Sequence, residues 1–208
     1  MSGEGKKPNR RSAETTRRRI LKAACELFSS NGYHGTATAD LIEYVGLGKG
    51  GLYHHFKRKE DLLLEIMMEP INEVLASSAL VVDSSESDPH EALLHLGRDL
   101  GLSMDRSLDA WTILLREYSA LETEGRLLIL DLRQDYLDRW RTVLQRGMEQ
   151  GVFVDRSLAF VDSILGYFIY AFIWNRGADP VALTDNLMSV LTEGVAAPTQ
   201  TIEDAKRS

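Results

Sequence analysis

The sequence predicts an all-α protein, and three features support this fold class. Apolar residues recur along most of the chain at the i, i+3, i+4, i+7 spacing of amphipathic helices. Pro89 and Pro180 stand where the first turn of a helix tolerates proline, and several glycines mark expected helix ends. No stretch alternates clearly between apolar and polar residues as a half-buried strand does. The chain is therefore expected to consist of helices joined by short loops.

The first eighty residues predict a basic arm followed by four helices. Residues 1–12 are basic and polar and are expected to be flexible. The first helix carries an apolar stripe and ends near Gly32. That stripe consists of Ile20, Ala23, Ala24, Leu27 and Phe28. The next three helices are expected at about 37–45, 49–55 and 59–80, with Gly46 ending the second.

Residues 83–89, Asp-Ser-Ser-Glu-Ser-Asp-Pro, form the clearest loop in the sequence. Beyond this loop, helices are expected at about 90–105, 108–121, 125–150, 157–175 and 180–195. The last residues, 198–208, are polar and are expected to be disordered. The longest apolar stretch falls well short of the roughly 20 residues that a membrane span requires.

Charge is distributed unevenly along the chain, whose net charge is −7. Residues 1–59 hold 12 basic and 5 acidic residues, for a net charge of +7. Residues 60–208 hold 12 basic and 26 acidic residues, for a net charge of −14. This distribution is typical of a basic module that binds phosphate on an acidic body that repels it. A disordered basic tail on an acidic globule is the alternative that charge alone leaves open.

Residues 39–55 read as two short helices joined by a turn at Gly46, the pattern of a helix-turn-helix. In that motif the N-terminal residues of the second helix contact base edges in the major groove of DNA. Gly48, Gly50 and Gly51 would let the backbone approach the groove, although each costs about 1 kcal/mol of helix propensity. Hydroxyl, imidazole and ammonium donors follow at residues 53–59, where they would lie along a phosphate backbone.

A longer pattern covers residues 20–62. It joins an Ile-Leu-x-Ala-Ala-x-x-Leu-Phe helix to a Gly-Tyr pair, a Thr and a Gly-x-x-x-Gly-x-Leu-Tyr-x-His-Phe-x-x-Lys-Glu-x-Leu block. Its residues are Ile20, Leu21, Ala23, Ala24, Leu27, Phe28, Gly32, Tyr33, Thr36, Gly46, Gly50, Leu52, Tyr53, His55, Phe56, Lys59, Glu60 and Leu62. This pattern resembles the TetR family of repressors. Two positions depart from it, since Gly48 replaces the usual Ser or Thr and Ile42 replaces a small residue.

The resemblance implies two domains and a set of DNA contacts. It implies a three-helix DNA-binding domain, assigned to residues 13–60, and a larger helical domain for ligand binding and dimerisation, assigned to 61–197. The positions that match the family's phosphate contacts are Thr36, Thr38, Tyr53, His55 and Lys59. The positions that look like base-edge readers are Lys49, Gly50 and His54. For Tyr53, a place in the core is the alternative.

Residues 159–174 are apolar on nearly every side, so this helix is expected to be buried on more than one side. One side would face the chain's own core and the other would face a second copy. The expected dimer interface consists of Phe160, Ile164, Phe168, Phe172, Leu187 and Leu191. A two-fold dimer would place its recognition helices about 34 Å apart, or a multiple of that, on a pseudo-palindromic operator. A buried helix in a monomer is the alternative.

Aromatic and aliphatic residues of the larger domain are typical of a pocket for a small lipophilic molecule. The predicted lining residues are Trp111, Leu115, Tyr118, Tyr136, Trp140, Tyr167 and Trp174. Aromatic residues at helical spacing also form plain core, and this alternative stays open for each of them. The sequence does not identify the effector.

These features together predict a homodimeric, ligand-released transcriptional repressor that binds double-stranded DNA in the cytoplasm. A ligand-independent or architectural DNA-binding protein and a transcriptional activator are the alternatives. The lone Cys25 cannot form an intramolecular disulfide, which fits a reducing compartment.

An enzyme is not expected. Residues 101–105 lack the closing glycine of a nucleophile elbow, because Asp105 stands there. His90 and His95 are five residues apart and would lie on different sides of a helix, unlike the i, i+4 ligands of a zinc helix. No catalytic residue, metal site or cofactor is therefore predicted, and a redox role for Cys25 is left as a minor alternative.

Overall fold

The computed structural model describes residues 10–83, 88–155 and 157–196, without the side chains of residues 10–12, 49, 80–83 and 194–196. Over this part of the chain there are helices and no strands, which confirms the predicted all-α fold. The helices are α1 (Arg10–Asn31), α2 (Thr38–Val45), α3 (Lys49–His55), α4 (Lys59–Asp83), α5 (Pro89–Glu117), α6 (Thr123–Glu149), α7 (Ile164–Trp174) and α8 (Pro180–Ala196). Two short 3₁₀ helices, Tyr118–Ala120 and Leu158–Ser163, precede α6 and α7.

The N-terminal helices lie close to their predicted positions. α3 has the predicted bounds, and α2 begins at Thr38, one residue after its expected start. α1 begins at Arg10, so the last three residues of the predicted arm are helical. Residues 1–9 of that arm and the predicted tail at 198–208 lie outside the described residues.

One expectation about the C-terminal helices is confirmed and one needs correction. The helices predicted at 90–105 and 108–121 lie on either side of a break within α5 at Ser107, whose backbone is not helical (φ −133°, ψ 31°), and the second of them ends at Glu117. The helix predicted at 157–175 begins as a 3₁₀ helix and becomes α-helical at Ile164. Of the predicted loop at 83–89, residues 84–87 lie outside the described part of the chain.

The chain divides into two compact units. The first unit comprises the residues up to Glu73 together with Ser107–Arg133, and the second comprises Val74–Arg106 with the residues from Gln134 onward. The first unit contains α1–α3, and the second contains α7 and α8, while α4, α5 and α6 contribute residues to both. Each unit has its own buried apolar side chains. Ile20, Phe28, Leu41, Leu52 and Phe56 belong to the first, and Leu93, Trp140, Val161 and Phe168 to the second.

Candidate nucleic-acid interface

The turn between α2 and α3 depends on a glycine. Gly46 follows the last residue of α2 with φ 69° and ψ 33°, in the left-handed region that favours glycine. Its N–H donates to the carbonyl of Glu43 at 3.1 Å, and the N–H of Leu47 donates to the carbonyl of Ile42 at 3.1 Å. These bonds satisfy carbonyl groups at the end of α2 and turn the chain toward α3.

One side of α3 is buried and the other is exposed. Leu52 and Phe56, the latter just beyond the helix, are buried in the first unit. Gly50, Tyr53 and His54 are exposed, and their i, i+3, i+4 spacing places them on one face. Tyr53 is 45% exposed and is therefore not a core residue. We call these three residues the outer face of α3.

The described structure around Gly50 has room for a larger side chain. A Cβ atom built at Gly50 meets nothing within 4 Å, and its backbone lies in an ordinary helical conformation. Alanine there would raise helix propensity by about 1 kcal/mol. Packing among the described residues therefore does not require a glycine at this position. The side chain of Lys49, the neighbouring predicted base reader, lies outside the described residues.

The predicted phosphate contact by Thr36 needs revision, because this side chain is fully buried. Its hydroxyl donates within the chain, with Oγ1 lying 2.9 Å from the Gly32 carbonyl and 3.2 Å from the Leu27 carbonyl. It ties the end of α1 to the connection with α2. Thr38 is half-buried at the first position of α2, where backbone N–H groups point out of the helix.

The ammonium group of Lys59 also forms hydrogen bonds within the chain. Its Nζ donates to the carbonyls of Tyr33 at 2.7 Å and Thr36 at 2.9 Å. The same atom lies 4.0 Å from the centre of the Tyr33 ring. Burial lowers the pKa of Lys59, and nearby Glu117 opposes this shift. In this structure Lys59 fixes the start of α4 to the connection between α1 and α2. This use of the ammonium group differs from the predicted contact with a DNA phosphate.

His55 lies at the C-terminal end of α3 and is half-buried. Its ring meets the ring of His54 edge to face, with centres 5.3 Å apart. Burial, together with His54 and Arg17, lowers the pKa of His55 below its ordinary value of 6.5. Near neutral pH, His55 is therefore a neutral hydrogen-bonding group in the DNA-free chain.

Two arginines of α1, neither of them a predicted site residue, connect it to other helices. The guanidinium of Arg17 donates to the carboxylate of Glu65 and lies 4.8 Å from the centre of the Phe56 ring. Arg19 donates from Nη2 to the carbonyl of Val45 at 3.0 Å, at the end of α2. The Arg17-Arg18-Arg19 run signals only positive charge in the sequence, because its partners lie far away along the chain.

Arg58 forms ion pairs that link the α3–α4 junction to the residue before α6. Its guanidinium lies 3.1 Å from Glu60, 3.2 Å from Asp61 and 3.0 Å from Glu122. The Oε1 atom of Glu60 accepts from the backbone N–H of Glu122 at 2.6 Å. The Glu122 carboxylate is the main cause that raises the pKa of Arg58. Lys57, the preceding residue, is exposed. It is a better candidate for a phosphate contact than Arg58, because Arg58 is already paired with carboxylates.

The predicted pocket residues belong to both units, and their burial differs. Tyr136 and Trp140 are fully buried on α6 in the second unit, with ring centres 6.4 Å apart. Trp111 is buried in the first unit, and the half-buried Tyr118 donates to the Arg126 carbonyl at 3.1 Å. The remaining predicted lining residues are exposed. These are Leu115, Tyr167 and Trp174.

Most of the predicted dimer residues are buried within the single chain. Ile164, Phe168, Phe172 and Leu187 are buried, and Phe160 and Leu191 are half-buried. Other apolar side chains of α7 and α8 are exposed instead, and Trp174 is 82% exposed. The exposed apolar set on these helices is Tyr167, Tyr170, Trp174, Val181 and Val190.

Three further observations concern metal ligands, the thiol of Cys25 and membrane-spanning helices. No three His, Cys, Asp or Glu side chains among the described residues are grouped as a metal site would require. Burial is the main cause that raises the pKa of the Cys25 thiol to about 12, so a reactive thiolate is disfavoured. No helix in the described part is both long and apolar enough to cross a membrane.

A helix-turn-helix whose second helix has an exposed outer face defines a DNA-binding module. Matches to protein-family models identify the family to which this module belongs. Residues 20–66 match the model for bacterial regulatory proteins of the tetR family, and residues 86–195 match the tetracyclin repressor-like C-terminal domain. The second match alone spans more than half of the chain. The protein therefore belongs to the TetR family of bacterial transcriptional regulators, as its N-terminal pattern predicted.

Similar proteins agree with this assignment. The HTH-type transcriptional repressor KstR2 of Rhodococcus jostii (strain RHA1) is 27% identical over 88% of this chain and 92% of its own. The TetR family regulator PfmR from Thermus thermophilus superposes with a TM-score of 0.76 at 29% identity, over 85% of this chain and 97% of its own. AibR, solved with isovaleryl coenzyme A and operator DNA, shares the fold with a TM-score of 0.74 at 24% identity, over 84% of this chain and 97% of its own.

Proposed function

We propose that this regulator is a repressor that binds a pseudo-palindromic operator as a homodimer and is released by a small lipophilic effector. The observation that carries the proposal is the outer face of α3, where Gly50, Tyr53 and His54 are exposed between the start and the last turn of a recognition helix. Gly50 admits a close approach of the backbone to base edges, and His54 supplies a donor or acceptor to them. Thr38, Tyr53, His55 and Lys57 would contact phosphates, and Lys49 would contact a base. The protein would act in the cytoplasm, with the DNA.

The exposed apolar side chains of α7 and α8 support a dimer. Trp174, Tyr170 and Val190 would be covered by the same helices of a second copy, which removes apolar surface from water. The buried side chains Phe168 and Phe172 would support that surface from beneath instead of forming it. A two-fold dimer then presents two copies of α3 to successive major grooves.

The effector would act through the second unit. Its buried aromatic pair, Tyr136 and Trp140, offers the apolar surroundings of a lipophilic site, and the AibR complex is an example of this fold with an acyl thioester. Helix α4 contributes residues to both units and would carry the change to α3. The effector must bind the non-operator state more tightly, and a 100-fold preference corresponds to roughly 2.7 kcal/mol.

Selection of bound duplexes from a randomised DNA pool at physiological salt tests this function. Enrichment of a pseudo-palindrome with half-sites about one helical turn apart, or a multiple, is the expected result. Salt-sensitive binding without an enriched sequence would favour the architectural alternative and exclude the repressor. Transcription from a promoter that carries the selected site separates repression from activation.

A further inference from the structure

Arg58 and Glu122 join two parts of the first unit that are far apart in the sequence. Nη1 of Arg58 lies 3.0 Å from Oε2 of Glu122 and 3.1 Å from Oε2 of Glu60. Nε of Arg58 lies 3.2 Å from Oδ1 of Asp61. Glu60 and Asp61 belong to the first turn of α4 and are therefore close to Arg58 along the chain. Glu122, which precedes α6, is the one carboxylate of these three that comes from a distant segment.

The pair between Arg58 and Glu122 can open without loss of the fold. The Arg58 side chain is 56% exposed and that of Glu122 is 69% exposed. Ion pairs with this much exposure contribute little to the stability of a protein. A separate bond holds the start of α6, because Oε1 of Glu60 accepts from the backbone N–H of Glu122 at 2.6 Å. The Glu122 carboxylate can therefore release the guanidinium while the backbone around both residues stays in place.

Arg58 lies next to a group that is proposed to contact phosphate. It follows the exposed Lys57, just beyond the end of α3. Arginine binds a phosphate through two adjacent N–H groups, in the same way as it binds a carboxylate. Nε and Nη1 of Arg58 both face carboxylates in this structure, so neither edge of the guanidinium is free for a bidentate contact. A phosphate and the Glu122 carboxylate are thus alternative partners for Arg58.

We propose that Glu122 competes with DNA phosphates for Arg58, so that the chain contains an internal competitor that weakens its binding to every duplex. Arg58 is then a partner of Glu122 in the DNA-free chain and a phosphate contact in the complex. Because this contact involves phosphate and no base, the competition lowers affinity without changing the preferred sequence. This inference rests on the proposed function, in which the residues around α3 bind DNA.

Glu122→Gln tests the competition, and Glu124→Gln is its matched control. Each change removes one negative charge at the start of α6, but the ion pairs of Arg58 among the described residues include Glu122 and not Glu124. Binding of the full chain to a fluorescent duplex of mixed sequence is measured by anisotropy between about 50 and 200 mM salt.

We expect Glu122→Gln to bind this duplex at least about threefold more tightly than the wild type at the lowest salt concentration. Its affinity should also fall more steeply with salt, as it does when a phosphate contact is added. Glu124→Gln should bind within about twofold of the wild type, because only a screened charge is lost. An unchanged affinity of Glu122→Gln, or an equal gain in both variants, overturns the proposal.

The same change in a chain without the guanidinium shows whether Arg58 is the group that is released. Arg58→Gln removes the positive charge and keeps a polar side chain. In this background, Glu122→Gln should leave the affinity for the duplex unchanged, because no guanidinium remains to bind the phosphate. Circular dichroism verifies that each variant is folded. A gain in affinity that persists in the Arg58→Gln background overturns the assignment of Arg58.

This test is separate from the DNA selection described above, because its duplex has no chosen sequence. An enriched pseudo-palindrome together with equal affinities for Glu122→Gln and the wild type removes the competition and leaves the repressor. Salt-sensitive binding without an enriched sequence removes the repressor, whereas the comparison of Glu122→Gln with Glu124→Gln still decides the competition.

Discussion

Thr36 and Lys59 carry side chains that commonly contact phosphate, yet both donate to carbonyl groups of their own chain. Sequence alone does not separate the two uses, because a hydroxyl or an ammonium donates to a carbonyl as readily as to a phosphate oxygen. Burial separates them, since Thr36 is fully buried and Lys59 is half-buried. Tyr53 and His54 differ in this respect, because both are exposed among the described residues.

Lys59→Met tests the structural role of the ammonium group. We expect the free energy of unfolding to fall by about 1–3 kcal/mol, because two carbonyls lose a charged donor. Urea denaturation provides the measurement. Lys57→Met is the control, since Lys57 is exposed and its loss should weaken DNA binding and its salt dependence while stability stays unchanged. A Lys59→Met protein as stable as the wild type would return Lys59 to the phosphate-contact set.

His55 predicts a pH dependence of stability. Its pKa in the folded chain is lowered from 6.5, so folding favours the neutral imidazole. This contribution to stability is complete above pH 6.5 and is lost as the pH falls through the lowered pKa. As the pH falls below 6.5, urea denaturation should show a larger loss of stability for the wild type than for His55→Asn. The exposed His34 supplies the control, because His34→Asn should follow the wild type, and a parallel loss in all three proteins would contradict this account.

At the scale of helices, the helix bounds were predicted best where nearby residues such as glycine mark an end or a start. The bounds of α3 were predicted because Gly46 ends α2 and the glycines at 48 and 50 surround the start of α3. The break between the helices predicted at 90–105 and 108–121 is confirmed by the non-helical backbone at Ser107. The 3₁₀ start before α7 was missed, because Leu158–Ser163 has the same apolar spacing as an α-helix.

The outer face of α3 predicts opposite effects on folding and DNA binding. Gly50→Ala should raise the free energy of unfolding by about 0.5–1 kcal/mol, because its Cβ meets no atom within 4 Å and alanine favours the helix. The same change should weaken binding to the selected operator about 10-fold or more, as the methyl group would meet the groove. Gly125→Ala on α6 is the control, with only ordinary contacts from 3.6 Å, and it should leave DNA affinity unchanged. Undiminished affinity in Gly50→Ala would mean that the backbone does not approach the groove there.

For the whole molecule, the sequence predicted the apolar character of α7 but not which side faces the chain's own core. A helix that is apolar all round has no hydrophobic stripe to orient it, so Phe168 and Trp174 looked equivalent. The structure distinguishes them, with Phe168 fully buried and Trp174 82% exposed. The unit boundary within α5 falls at the predicted break, whereas α4 and α6 pass from one unit to the other without a sequence signal.

Trp174→Ser tests the proposed dimer surface. Sedimentation equilibrium should show a dimer for the wild type and a weakened dimer, by at least about 10-fold in dissociation constant, for this variant. The fold should be retained, because the side chain is exposed in the single chain. Val152→Ser replaces an exposed apolar residue outside α7 and α8 and should leave the dimer intact. An unchanged dimer in Trp174→Ser would move the interface elsewhere.

The central claim is that Gly50 and His54 on the outer face of α3 contact DNA bases, and His54→Gln tests it most directly. Wild type and variant are taken through the same selection from randomised duplexes at the same salt concentration. We predict that the two enriched pseudo-palindromes differ at one symmetric position in each half-site, because glutamine presents a different donor and acceptor pattern to a base edge. Enrichment of the same sequence by both proteins, with affinity lowered uniformly across sequences, would contradict the claim and leave His54 as a phosphate contact.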